Sequence, residues 1–123
     1  MAKLTTSQKA VIKTLDDLFV HAPFTNTWWM GFGYIGLRRV GSRFLVGDVW
    51  VEQRFRQRGE GRKMIRRILN LCDHHKVELF IFARPFDEGS ENRMSMQELR
   101  DWYYRIGFRP HSKLYHLRRV GGE

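Results

Sequence analysis

Between Phe44 and Ala83 the hydrophobic period changes twice within forty residues, and this succession restricts the fold more than any other feature of the chain. Phe44–Val51 is rich in β-branched and aromatic residues and reads as a strand. From Gly61 to about His75 the spacing becomes helical. Met64, Ile65, Ile68, Leu69, Leu71 and Cys72 fall on one side, and Arg62, Lys63, Arg66, Arg67, Asn70 and Asp73 on the other. Val77–Ala83 is a short apolar run suited to a central strand. Strand, glycine turn, helix and apolar strand make a βαβ unit.

The flanking segments extend that unit into one α/β (α+β) domain spanning residues 1–123. Thr6 to Val20 is an amphipathic helix with a Thr5/Gln8 capping box, ended by His21-Ala22-Pro23. Trp28–Val51 is strand territory, with a hairpin turn at Val40-Gly41-Ser42-Arg43, and Gly47 marks a bulge in the second arm. Arg84–Arg93 is a loop by composition, Ser95–Ile106 a helix stopped by Gly107, and Lys113–Val120 a last strand. No repeat or low-complexity segment interrupts this order.

The chain carries 22 Lys and Arg against 13 Asp and Glu, a net charge of +9. From Glu52 to Arg67 there are seven cations against two acids, more than half of the whole excess. A local excess points to an anion site or to one solvated helix face. With 42% hydrophobic and 14% aromatic residues the chain is not a disordered basic tail. One cysteine, Cys72, excludes an intrachain disulfide and a cysteine-based zinc framework. The polar start, Met1–Lys9, argues against a secretory leader. The longest apolar run, Leu79–Ala83, is far too short for a membrane helix. A cytoplasmic protein with no membrane partner and no metal is the expectation.

The junction of strand and helix is Arg56-Gln57-Arg58-Gly59-Glu60-Gly61-Arg62. Two glycines permit a tight turn and close approach of a ligand, and the N–H groups opening the helix are free to meet an anion. A pyrophosphate suits such a turn. It lacks the G-K-[ST] ending of a Walker loop and the glycine spacing of the dinucleotide fingerprint. Some forty residues on comes Trp102-Tyr103-Tyr104-Arg105-Ile106-Gly107-Phe108.

With these two segments in this order, the chain resembles the GNAT N-acetyltransferase superfamily. There, an R/Q-x-x-G-x-G/A turn follows the fourth strand, and an aromatic-Tyr-x-x-x-Gly-Phe segment closes a later helix. Arg56, Gly59 and Gly61 match the first, and Trp102, Tyr103, Gly107 and Phe108 the second; the likeness covers roughly Phe44–Leu117. The Arg-Pro-Phe loop and Met-Ser-Met helix start look like compact bacterial or phage members. The resemblance implies a mixed central sheet flanked by helices on both faces, with a splayed strand pair at the cofactor site. It implies acetyl-coenzyme A as cosubstrate. Turn residues Arg56, Gln57, Arg58, Gly59, Glu60, Gly61 and Arg62 would hold the pyrophosphate. Val49, Trp50 and Val51 would border the pantetheine arm and supply a backbone N–H to the acetyl carbonyl. Tyr103 would be the general acid, protonating the leaving thiolate after direct attack by a primary amine in a ternary complex.

The acceptor side departs from the family pattern: Leu45 stands where a glutamate is frequent and Met96 where an asparagine is. Asp48 or Glu52 would deprotonate the amine through a water. Small amines, peptide or protein amines and aminoacyl-tRNA are all acceptors in the superfamily, and a homodimer is one way to complete a trimmed cleft.

Plainer readings stand beside these. The turn also reads as an ordinary connection before a solvated basic helix, and Tyr103 as a core aromatic. His74-His75 suits helix-end stabilisation better than a metal, and at least one of Trp28 and Trp29 belongs in the core. Two other functions fit the same features: a nucleic-acid-binding basic module, and a GNAT relative that binds an acyl-coenzyme A without turnover.

Overall fold

A computed structural model describes residues 3–23, 25–55, 59–82 and 96–119. In chain order these form α1 (Thr6–Leu18), β1 (Val20–His21), β2 (Thr27–Trp29), β3 (Gly33–Val40), β4 (Arg43–Val51), α2 (Glu60–His75), β5 (Leu79–Phe82), α3 (Met96–Arg105), β6 (Phe108–Pro110) and β7 (Tyr115–Arg118). The strands make one mixed sheet in the order β1-β2-β3-β4-β5-β7-β6. The β4–β5 pair is parallel and the rest are antiparallel. The fold is α+β with the sheet flanked by helices, as the βαβ run implied. The expected loop Arg84–Arg93 and the Ser95 cap lie outside the described residues.

Register shows how the chain builds its two faces. Gly36 pairs with Asp48 but Leu37 with Val46, so Gly47 is the extra residue of a β-bulge, as its position in the strand suggested. Because of it, Val46 and Val49, three residues apart, both join the main core, together with Phe44 and Val51. Without the bulge, alternation would send Val49 and Val51 to the other side. Leu45 belongs instead to a small cluster with Phe80 and Leu117. Trp50 stacks on its cross-strand partner Tyr34, with ring centroids 5.4 Å apart.

Helices on both faces were expected; among the described residues all three gather on one. Val11 and Leu15 of α1, Met64, Ile65, Ile68, Leu69 and Cys72 of α2, and Leu99, Trp102 and Tyr103 of α3 join the cluster that holds Val46 and Ile81. Arg118 of β7 ties two helix ends together on this face. Its guanidinium pairs with the Asp73 carboxylate on α2, and its Nε donates to the Ile106 carbonyl just past α3 at 2.7 Å. Gly107 turns the chain there with φ +100°.

The N-terminus of α1 carries the anticipated capping box. Thr5 Oγ1 accepts from the Gln8 N–H at 3.0 Å, and Gln8 Oε1 accepts from the Thr5 N–H at 2.9 Å. The same Gln8 side chain is fully buried, and its Nε2 donates to the carbonyls of Gly41 and Arg43 at 3.0 and 2.9 Å. One amide thus caps a helix and satisfies both ends of the β3–β4 turn. Gln8→Ala is expected to cost about 2–3 kcal/mol, since half of the capping box and two buried-amide hydrogen bonds to the turn are lost, although Arg39 Nη1 still reaches the Gly41 carbonyl at 3.4 Å. Urea denaturation of both proteins measures it.

Candidate functional site

Among the described residues, β5 accompanies β4 through Phe44↔Leu79, Leu45↔Phe80 and Val46↔Ile81, and it is described as far as Phe82. β4 runs on to Val51 in register with β3, past the bulge at Gly47. The carboxyl end of a parallel strand, beside the start of the helix that leaves it, is where ligands of open α/β sheets collect.

That helix start is close to the diverging strand. Gly59 precedes α2 in the left-handed region, φ +74°, and the first turn of the helix has no side-chain cap. A methyl group at Gly61 would touch Val49 Cγ1 at 3.6 Å and Val51 Cγ2 at 3.7 Å. These are ordinary contact distances, and they place the first turn of α2 beside the β4 segment beyond the bulge. Glu60 is ion-paired with Lys63 at 3.5 Å, and Arg62 is exposed. Arg56, Gln57 and Arg58 lie outside the described residues. Val49 and Val51 are buried, and Trp50 is half-buried against Tyr34.

Tyr103 lies on the same side of the sheet. Its ring is fully buried and packs on Trp102, Phe108 and His116 at centroid distances of 5.7, 5.6 and 5.6 Å. His116 is in register with Ile81, which in turn pairs with Val46 of β4, so this contact lies on that row of the sheet. Among the described residues the Tyr103 hydroxyl has no hydrogen-bond partner. Burial lifts its pKa well above that of an ordinary phenol, so the oxygen keeps its proton at neutral pH. A buried phenol is thus kept in its acid form, and the same shift makes it a weaker acid than an ordinary phenol.

The two carboxylates considered for the amine are placed differently. Asp48 is exposed and opposes Gly36, on the face away from the helices, with Trp50 and Tyr34. Tyr103 and Asp48 thus stand on opposite faces of one sheet. Glu52 follows β4, its N–H donating to the Phe32 carbonyl at 2.8 Å and its carboxylate meeting Arg54 Nε at 2.8 Å.

His116 had not been singled out in the sequence. It is buried, and desolvation lowers its pKa below the ordinary histidine value, with the Tyr115 carbonyl opposing that shift and the Arg100 charge adding to it. The unfolded chain therefore binds a proton more readily than the folded one, and stability rises with pH up to the ordinary histidine range. Denaturation midpoints are expected to fall on acidification through that range, and His116→Gln to flatten the slope. Cys72 is buried in the core, and its thiol is pushed up to about 12 by burial and by Asp73. Such a thiol is a poor nucleophile, which disfavours an acyl-cysteine route.

Among the described residues no group of three or more His, Cys, Asp or Glu is placed to hold a metal ion. No described helix is long and apolar enough to cross a membrane. No family model matches the chain, and no curated protein matches it. Among solved structures, the crystal structure of the anti-CRISPR protein AcrVA5 is similar. The match has a TM-score of 0.53 and 16% identity, over 74% of this chain and 94% of that one. At that identity the likeness concerns the fold.

Proposed function

We propose that this protein is an acetyl-coenzyme A-dependent N-acetyltransferase of the GNAT kind, acting on a primary amine through a ternary complex. The observation that carries this reading is the first turn of α2, which has no side-chain cap and lies by Val49 and Val51, with a buried Tyr103 hydroxyl on the same side of the sheet that has no hydrogen-bond partner among the described residues. Acetyl-coenzyme A fits these surroundings. The first turn of α2 and Arg62 suit phosphates, Val49–Val51 run beside that turn, and a buried donor is available. The coenzyme supplies an activated acyl group as a thioester. The chain's own part is to bind the phosphates at Gly59–Arg62, to present the edge of Val49–Val51, and to hold a proton at Tyr103 Oη. Asp48, on the opposite face, lies where an amine entering from that side would meet a carboxylate.

Isothermal titration with acetyl-coenzyme A tests the reading. Saturable binding supports it, and no heat at millimolar ligand removes it. The basic face of α2 favours a second reading, a nucleic-acid-binding module: Arg62 and Arg66 are exposed and, among the described residues, have no carboxylate partner. That reading requires affinity for an oligonucleotide that falls steeply with salt. A relative that binds the coenzyme without turnover would give the titration heat and no acetylated product.

A further inference from the structure

Two buried side-chain polar atoms among the described residues lack a hydrogen-bond partner, Tyr103 Oη and His116 Nδ1. They belong to rings that meet edge to face at 5.6 Å, one carried by α3 and the other by β7. An orphan of this kind is destabilising, and buried polar atoms in folded proteins are nearly always satisfied. The two atoms are carried by neighbouring rings, with Trp102 and Phe108 against Tyr103 and Ile81 in register with His116. A phenol both donates and accepts, and Nδ1 does one or the other according to tautomer. One water between them would satisfy both.

We propose that Tyr103 and His116 form a proton-sharing pair joined by one buried water, with His116 the positioning residue that returns the proton Tyr103 gives up. The acid role rests on the function proposed above; the pairing itself does not. As the Tyr103 O–H bond breaks, its proton passes to the leaving sulfur. The bridging water gives a proton to the phenolate oxygen and takes one from His116 Nδ1–H. His116 Nε2 takes one from solvent, and exchange between the two neutral tautomers restores the start. The net transfer is one proton from solvent to sulfur, and the imidazole stays neutral. Tyr103 and the Arg100 charge are what His116 meets from α3, and the Tyr115 carbonyl from its own strand. A neutral relay suits those surroundings.

Nitrogen-15 spectra of the imidazoles in the ligand-free chain, recorded through the neutral pH range, test the pairing. In Tyr103→Phe the His116 midpoint is expected to move by about 0.5 pH unit or more, with a change in its neutral tautomer. An unchanged midpoint and tautomer overturn the pairing. Turnover supplies the arm that does not depend on Tyr103→Phe folding. His116→Phe is expected to lower kcat about tenfold with KM for acetyl-coenzyme A unchanged. His116→Gln, whose amide can hold the same water, should recover much of that loss. Equal losses in both variants, or none in either, overturn the relay. A wild-type chain that binds no acetyl-coenzyme A removes the functional reading, and the ligand-free spectra then decide the pairing.

Discussion

Replacing Tyr103 with phenylalanine is expected to slow acetyl transfer by about a hundredfold or more, the scale of one general acid, and to leave coenzyme affinity and the fold almost intact. The ring supplies the packing: it is fully buried against Trp102, Phe108 and His116, and phenylalanine keeps every one of those contacts. Among the described residues the hydroxyl makes no hydrogen bond, so its removal breaks none there. Stability should change by no more than about 1 kcal/mol. Steady-state rates at saturating coenzyme, a binding titration and a urea curve on the same two proteins measure all three. A variant as fast as the wild type would strike Tyr103 from the chemistry and leave it a core aromatic. A variant that no longer binds the coenzyme would mean that the ring shapes the site.

Gly33→Ala should be the most damaging small change in the sheet. A methyl group there would lie 1.9 Å from the Trp50 carbonyl oxygen and 2.8 Å from the Val51 Cα, both backbone atoms that cannot swing aside. Since Gly33 pairs with Val51, relief requires the ends of β3 and β4 to separate. The expected loss is about 3 kcal/mol or more, the range of severe overpacking. Coenzyme binding should weaken with it, because the first turn of α2, the proposed phosphate site, lies by Val49 and Val51. Gly36→Ala is the control on the same strand. Its methyl group would meet Asp48 Oδ2 at 3.5 Å and the Asn26 carbonyl at 3.6 Å, ordinary contacts, so a change within about 1 kcal/mol is expected. Comparable losses in the two variants would show that strand propensity, and not the close approach at Gly33, sets the cost.

The elements that local chemistry defines were legible without coordinates. The Thr5/Gln8 box starts α1, the apolar stripe of Met64 to Cys72 defines α2, and Gly41-Ser42 turns β3 into β4. Gly47 announced its bulge, since glycine inside a strand pattern has few other uses. What escaped were pieces whose structure is set by partners. β1 and β2 are two and three residues long and exist as strands only because Val20 meets Trp29 and Trp28 meets Ile35. β6 ends on Pro110 at the sheet edge, where a missing N–H costs little.

The site shows the same division. Gly59, Gly61 and Tyr103 stand out by type and spacing, and the structure brings Gly61 against Val49 and Val51. The separation of Asp48 from Tyr103 across the sheet depends on counting one extra residue at Gly47, and the strand pairing decides that count. His116 alternates with Leu117 and Arg118 in a short strand, and nothing local says which of its faces is buried. The burial of one charged neighbour, Arg118, through its contacts to Asp73 and Ile106 would have been needed to choose.

The strand order also bears on how the molecule is assembled during synthesis. β7 is made after β5 and β6 but sits between them. While Leu79–Pro110 leaves the ribosome, neither neighbour has its partner, and the open edge of β5 must wait for Tyr115–Arg118. Until then Phe80 and Phe82 stand beside an edge of unpaired amides, a feature that invites pairing with another nascent chain. The half of the sheet that carries His116 is therefore the last to close, and conditions that slow translation near it should raise the aggregated fraction more than the same delay elsewhere.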